Sequence, residues 1–154
     1  MKKRVVALVL AVLFVATGIV SGNENVYAED TAQNVEISEI WNEDAVIGYG
    51  QTQTWGVYLS QGISIINDAG GGKIGCGGIT NAACKCKVSV ATIVEKKVGS
   101  SWTRVTSWTA TNASAYTVSI SKTLSVGSGY YYRVRSTHSA NSDVSSSCTD
   151  GLWM

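Results

Sequence analysis

The sequence predicts an all-β protein, an antiparallel β-sandwich of roughly seven or eight strands. Three observations point there. From about residue 52 onward the chain is a string of short runs rich in Val, Ile, Thr, Tyr and Trp, the residue types that suit a pleated, half-buried surface. Gly, Ser, Asn and Asp separate these runs, as turn chemistry demands. The spacing of three and four apolar positions that marks a helix does not recur after residue 28.

At the start, Lys2, Lys3 and Arg4 precede an apolar stretch from Val5 to Val20, and polar residues then lead to the small-residue pattern Val26-Tyr27-Ala28. That order is a secretory signal, residues 1–28, with cleavage expected after Ala28. An uncleaved anchor is the alternative, but the apolar run is short of the roughly 20 residues usual for a spanning helix. No cysteine lies near the cut to carry a lipid, and no second apolar stretch follows. The expectation is a secreted, extracellular protein with no stable membrane insertion after cleavage.

Residues 29–51 read as an acidic, flexible leader. Glu29, Asp30, Glu36, Glu39, Glu43 and Asp44 meet no base there, although Trp41 and Ile47 could dock. The β-domain is expected over 52–154. It holds every Lys and Arg except Lys2, Lys3 and Arg4, against only Asp68, Glu95, Asp143 and Asp150. The formal charge of the whole chain, +1, hides this asymmetry. A mildly basic domain suits an anionic partner, but the excess is spread too thinly to define a nucleic-acid groove.

Strands are expected at 54–59, 62–67, 73–80, 86–97, 102–110, 115–122, 129–138 and 146–153, with Gly70-Gly71-Gly72 as a turn rather than a phosphate loop, since the P-loop spacing and its helix are missing. The clearest alternation sets Cys86, Val88, Val90, Thr92 and Val94 toward the core and Lys87, Ser89, Ala91, Ile93 and Glu95 away from it. Val98-Gly99-Ser100-Ser101 reads as a hairpin turn. Placing Lys97 opposite Trp102 then pairs Glu95 with Arg104, Val94 with Val105 and Ala91 with Trp108, and points Trp102, Arg104 and Trp108 outward.

Cys76, Cys84, Cys86 and Cys148 all follow the expected cleavage site, and an even count in an oxidising compartment argues for two disulfides. Cys84-Lys85-Cys86 could instead hold zinc, although the spacing is not that of a zinc ribbon and His138 is the one histidine; no metal is expected. Adjacent-strand geometry disfavours a Cys84–Cys86 bond, so one of the pair should reach Cys76 and the other Cys148. The longer bridge would contribute on the order of 4 kcal/mol in the chain-entropy model.

The run Leu124-Ser-Val-Gly127-Ser-Gly-Tyr130-Tyr-Tyr132-Arg-Val134-Arg-Ser136 resembles the turn and penultimate strand of fibronectin type III-like domains. That resemblance implies an immunoglobulin-like or fibronectin type III-like sandwich, a tyrosine-corner hydrogen bond from Tyr130 to upstream backbone, and core positions for Tyr132 and Val134. The chain departs from that pattern in having no proline at all and no early-strand tryptophan. With Gly72-Lys-Ile-x-x-x-Gly78, the Trp102 hairpin and His138 added, the whole is also similar to an uncharacterised family of small secreted proteins of Gram-positive bacteria. That likeness implies no activity.

Catalysis is not expected. A lone His138, serines outside any nucleophile motif and scattered carboxylates supply no acid–base pair, and no cofactor motif is present. Asn112-Ala-Ser114 matches a glycosylation acceptor but reads as a turn. Binding is better supplied: all five Trp, and every Tyr except Tyr27, lie beyond the signal, whereas the single Phe lies within it. Trp102, Arg104, Trp108, Tyr131, Arg133 and Arg135 are therefore expected to share one outer face. It would bind cell-envelope glycan or an extracellular protein, unless the arginines lie flat on the indoles and merely shield the sheet. A bacteriocin-like or toxin-like effector is the alternative function, and a hydrolase centred on His138 a third.

Overall fold

The computed structural model describes residues 32–50 and 56–154. The expected signal peptide, residues 1–28, and the expected 51/52 boundary lie outside them. In chain order the elements are β1 (Gln33–Asn34), α1 (Ile37–Ile40), β2 (Val46–Tyr49), β3 (Leu59–Gly70), β4 (Lys73–Val98), β5 (Ser101–Ser125), β6 (Tyr131–Ala140), β7 (Asp143–Cys148) and β8 (Leu152–Trp153). The predicted all-β sandwich is what the described residues form, with eight antiparallel strands among them.

Strand lengths differ from the sequence reading in an instructive way. The expected strands 73–80 and 86–97 are the two halves of one 26-residue β4, and 102–110 and 115–122 are the two halves of the 25-residue β5. These two strands pair from Val98↔Ser101 back to Lys73↔Ser125, interrupted by irregularities at Asn81–Cys86, Cys86–Val88 and Val94–Glu95. On the other edge of β4, β3 occupies residues Lys73 to Ala82 and β6 occupies Val88 to Lys96. The ribbon therefore bends at the corner between them and stacks its two halves. The expected run 62–67 lies within β3, and 146–153 splits into β7 and β8.

One layer is β2, β3, the first half of β4, the second half of β5, and β1; the other is the first half of β5, the second half of β4, β6, and β7 with β8. Between them lie Ile66, Ile74, Cys76, Val94, Leu124, Tyr132 and Val134, and, nearer the corner, Leu59, Ala82, Val88, Val90, Val118 and Ala140. The alternation read from the sequence holds: Val88, Val90, Thr92 and Val94 are fully buried. Burial of these branched side chains is the main stabilising term, about 1.5–3 kcal/mol each for the larger ones.

Polar side chains continue this interface. His138, fully buried, is hydrogen-bonded through Nδ1 to Thr80 Oγ1 (2.8 Å) and through Nε2 to Ser147 Oγ (2.7 Å). Ser147 shares a 2.6 Å bond with Ser64, whose hydroxyl donates to Ser136 Oγ at 2.8 Å. Such a chain avoids the cost of leaving buried polar groups unpaired and joins strands of both layers.

The described part of the acidic leader is a correction to the expected flexible segment. Its Val35, Ile37, Ile40, Ala45 and Ile47 pack on the outer face of β3, against Ile63 and Ile65. β2 pairs with β3, β1 pairs with the end of β5, and Ser121 Oγ donates to Val35 O at 2.6 Å. Glu36 and Glu39 close a reciprocal capping box over α1. Acidity lies on the exposed side of this segment, while its few branched apolar residues face inward.

Candidate functional site

The outer face of the second layer is built on the Val98–Ser101 turn. As expected, Lys97 pairs with Trp102 and Glu95 with Arg104. Beyond Arg104 the pairing shifts: Val94 lies opposite Thr106, so Val105 is an extra residue, and Thr92 rather than Ala91 faces Trp108. A one-residue insertion reverses which face the later side chains occupy. Trp108 therefore packs against the core cluster of Val94 and Leu124 rather than pointing outward, and its Nε1 is buried without a hydrogen-bond partner.

The remaining residues do assemble, around a carboxylate the sequence reading treated only as a pairing partner. Glu95 is buried, and its oxygens accept from Arg133 Nε at 2.7 Å and Arg135 Nη2 at 3.1 Å. Arg133 also stacks on Trp102, 4.2 Å from the ring centroid, which is the shielding arrangement foreseen as an alternative to binding. Arg104, although opposite Glu95, donates instead to Ser107 Oγ.

Beyond this stack lies a second group of aromatics. Tyr131 and Trp153 meet edge to face at 4.9 Å and are 44% and 58% exposed. Short β8 places them, pairing Trp153 with Tyr131 and Leu152 with Tyr132. Trp102 and Tyr131 both flank Gly151, so the two groups adjoin. Lys97 sits 6.0 Å above Trp102, and Lys96 4.4 Å above the ring of Tyr130. Trp153, Lys96 and Lys97 are thus site residues the sequence reading missed. Trp153 escapes a sequence reading because one extra residue between Thr149 and Leu152 shifts the register along β6 and so sets it opposite Tyr131.

Tyr130 does not make the expected corner bond. Tyr132 makes it, donating from its hydroxyl to Gly127 O at 2.9 Å, while Tyr132 and Val134 occupy the core positions the resemblance implied.

Cysteine placement overturns the expected disulfides, since all four thiols are free. Cys76 and Cys84 lie on the same extended strand. At about 3.3 Å per residue, the stretch from Cys76 to the corner at Ala82 alone spans about 20 Å. Cys148 pairs with Arg135, which lies opposite Ile93, again about 20 Å along β4 from Cys86. Disulfides need Cα atoms within about 7 Å, so neither expected bridge can form. Burial pushes the Cys76 thiol up to about 12.

His138 is enclosed, and desolvation holds it well below its usual value, at about 4. Neither ring nitrogen is open to a substrate. Among the described residues no group of three or more His, Cys, Asp or Glu could hold a metal, and no helix is long and apolar enough to cross a membrane.

No protein-family model matches the chain, and no curated protein matches it. Among solved structures it is similar to the solution structure of R. palustris CsgH, with 19% identity over 55% of this chain and 87% of that one, and a TM-score of 0.39. A likeness of that size is too low to carry fold or function across.

Proposed function

We propose that the protein is an exported, non-catalytic binding module whose surface of Trp102, Tyr131 and Trp153, bordered by Lys96, Lys97, Arg133 and Arg135, recognises an anionic glycan of the cell envelope. The observation that carries this reading is the adjoining exposed pair Tyr131–Trp153, two large rings left in water at the edge of a basic face. Sugar rings stack on such surfaces through their apolar faces, and the amphipathic Tyr and Trp suit a contact that is half wet. The cations supply attraction for phosphate or carboxylate groups on the polymer. Arg135 keeps half its side chain exposed while bonded to Glu95, so it is held in place with donors to spare. Export rests on the pattern from Lys2 to Ala28.

Purified protein should sediment with isolated cell-envelope polymer and be released by salt. Trp153→Ala and Tyr131→Ala should each weaken retention about tenfold, which is about 1.4 kcal/mol, without changing the melting temperature. Retention equal to wild type in both variants would remove the reading.

A further inference from the structure

At the corner of the long ribbon, Ala82 to Lys85 on β4 face only Tyr116 on β5, between the pairs Asn81↔Thr117 and Cys86↔Ala115. The surplus chain bulges, and Ala83 N–H is diverted to Tyr58 O at 2.7 Å. Cys84 and Lys85 are exposed at this bulge, whereas Cys86 is half-buried against the Val88 cluster. In a strand, side chains two apart lie on the same side, and Cys84 is close enough to Cys86 to disfavour ionisation of its thiol. Cys76 is sealed in the core with its thiol donating to Lys122 O at 3.4 Å, and Cys148 lies far along the other layer. Among the four cysteines, this pair alone is both accessible and adjacent.

We propose that Cys84 and Cys86 form a thiol–disulfide exchange pair, closing a Cys84–Cys86 bond at the expense of a small-molecule disulfide. Cys84, the exposed partner, releases its proton to solvent, and its thiolate attacks one sulfur of the oxidant. The oxidant's S–S bond breaks, and one small thiolate departs and takes up a proton. Cys86 then loses its proton and attacks the Cys84 sulfur of the mixed disulfide, expelling the second small thiol. Two electrons pass from the protein to the oxidant, two thiol hydrogens are replaced by one S–S bond, and two small thiols are released. Burial first, and then the neighbouring Cys84, keep the Cys86 thiol above its usual value, which suits it to act second, once its neighbour has been activated. A bridge between residues two apart is strained and exposed, so it belongs to the readily reduced class rather than to structural bonds. The slack of the bulge is what lets β4 close it without breaking its pairing with β5. The proposal is independent of the aromatic face, which lies at the opposite end of the second layer's hairpin, beside the Val98–Ser101 turn.

The test equilibrates the folded protein in mixtures of oxidised and reduced glutathione, then denatures it, alkylates free thiols and cleaves it after lysine without reduction. Lys85 lies between the two cysteines, so cleavage leaves its two halves joined only where the bridge has formed. The expected result is residues 74–85 joined to residues 86–87, carrying a single alkyl label, on Cys76, and falling apart on reduction. Cys86→Ser should stop at a glutathione adduct on Cys84. Full alkylation of Cys84 and Cys86 in the most oxidising mixture, linkage of either to Cys76, Cys148 or a second chain, or an adduct in Cys86→Ser confined to Cys148 would each overturn the proposal.

Discussion

His138 is the residue on which both layers lean, because its ring touches Thr80 from β4 and Ser147 from β7 while lying beneath β3. Gly62 of β3 makes room for it: a Cβ there would come within 2.2 Å of His138 Cδ2. Gly62→Ala should therefore cost about 1–3 kcal/mol, read as a lower urea midpoint. The folded-state value of His138, about 4, lies below its ordinary 6.5, so the native state favours the neutral ring. Stability is then complete above about pH 6.5 and declines as pH falls toward 4, by up to about 1.4 kcal/mol per unit. Asp143 titrates in a lower window. Its carboxylate accepts from Tyr58 N–H at 2.6 Å and Leu59 N–H at 3.0 Å, which depresses it, so its contribution is present above 3.8 and lost only below that. Unfolding midpoints measured between pH 7 and pH 4.5 should fall for wild type and stay nearly level for a His138→Gln variant, which starts lower.

At the scale of elements, the Val105 bulge decides which aromatics face water. Trp108→Ala should destabilise the fold by about 2–4 kcal/mol, since it empties part of the core, and should leave polymer retention unchanged at temperatures where the variant is folded. Trp153→Ala should do the reverse. Comparing melting curves with sedimentation for the two variants separates the roles. The hairpin turn, the Lys97–Trp102 and Glu95–Arg104 pairs and the buried side of residues 88–94 were legible, because each rests on local alternation or on matched charges across a strand. The bulge was not, since an inserted Val between Arg104 and Thr106 carries no local signature and alternation was carried through it. Asn81 to Lys85 looked like a break between strands for a related reason: small and polar residues serve equally well at a loop and at a bent ribbon. The disulfide expectation failed because a count of cysteines says nothing of where along a strand they sit. Docking of the leader did have a signal, in Ile37, Ile40, Val46 and Ile47, but acidic composition outweighed four apolar residues.

For the whole molecule, that docked segment is a third covering layer. A variant lacking everything before Gln51 would expose Ile63 and Ile65, and should lose about 3–6 kcal/mol and bind a hydrophobic dye. An unchanged melting temperature would show that the cover is dispensable. The continuous β4–β5 ribbon has a wider effect, because both layers take their alignment from the two residues Gly99 and Ser100. Gly99 has a φ of 60°, the left-handed setting that a tight hairpin asks for at its first central position and that glycine adopts without strain. A chain that zips from this point lays down the middle of one layer and then, past the corner, the middle of the other, so a slip at the start would misfile every later pair in both. Amide protons on either side of Ala82 should consequently exchange as one cooperative class, and the protein should melt as a unit rather than peel apart layer by layer.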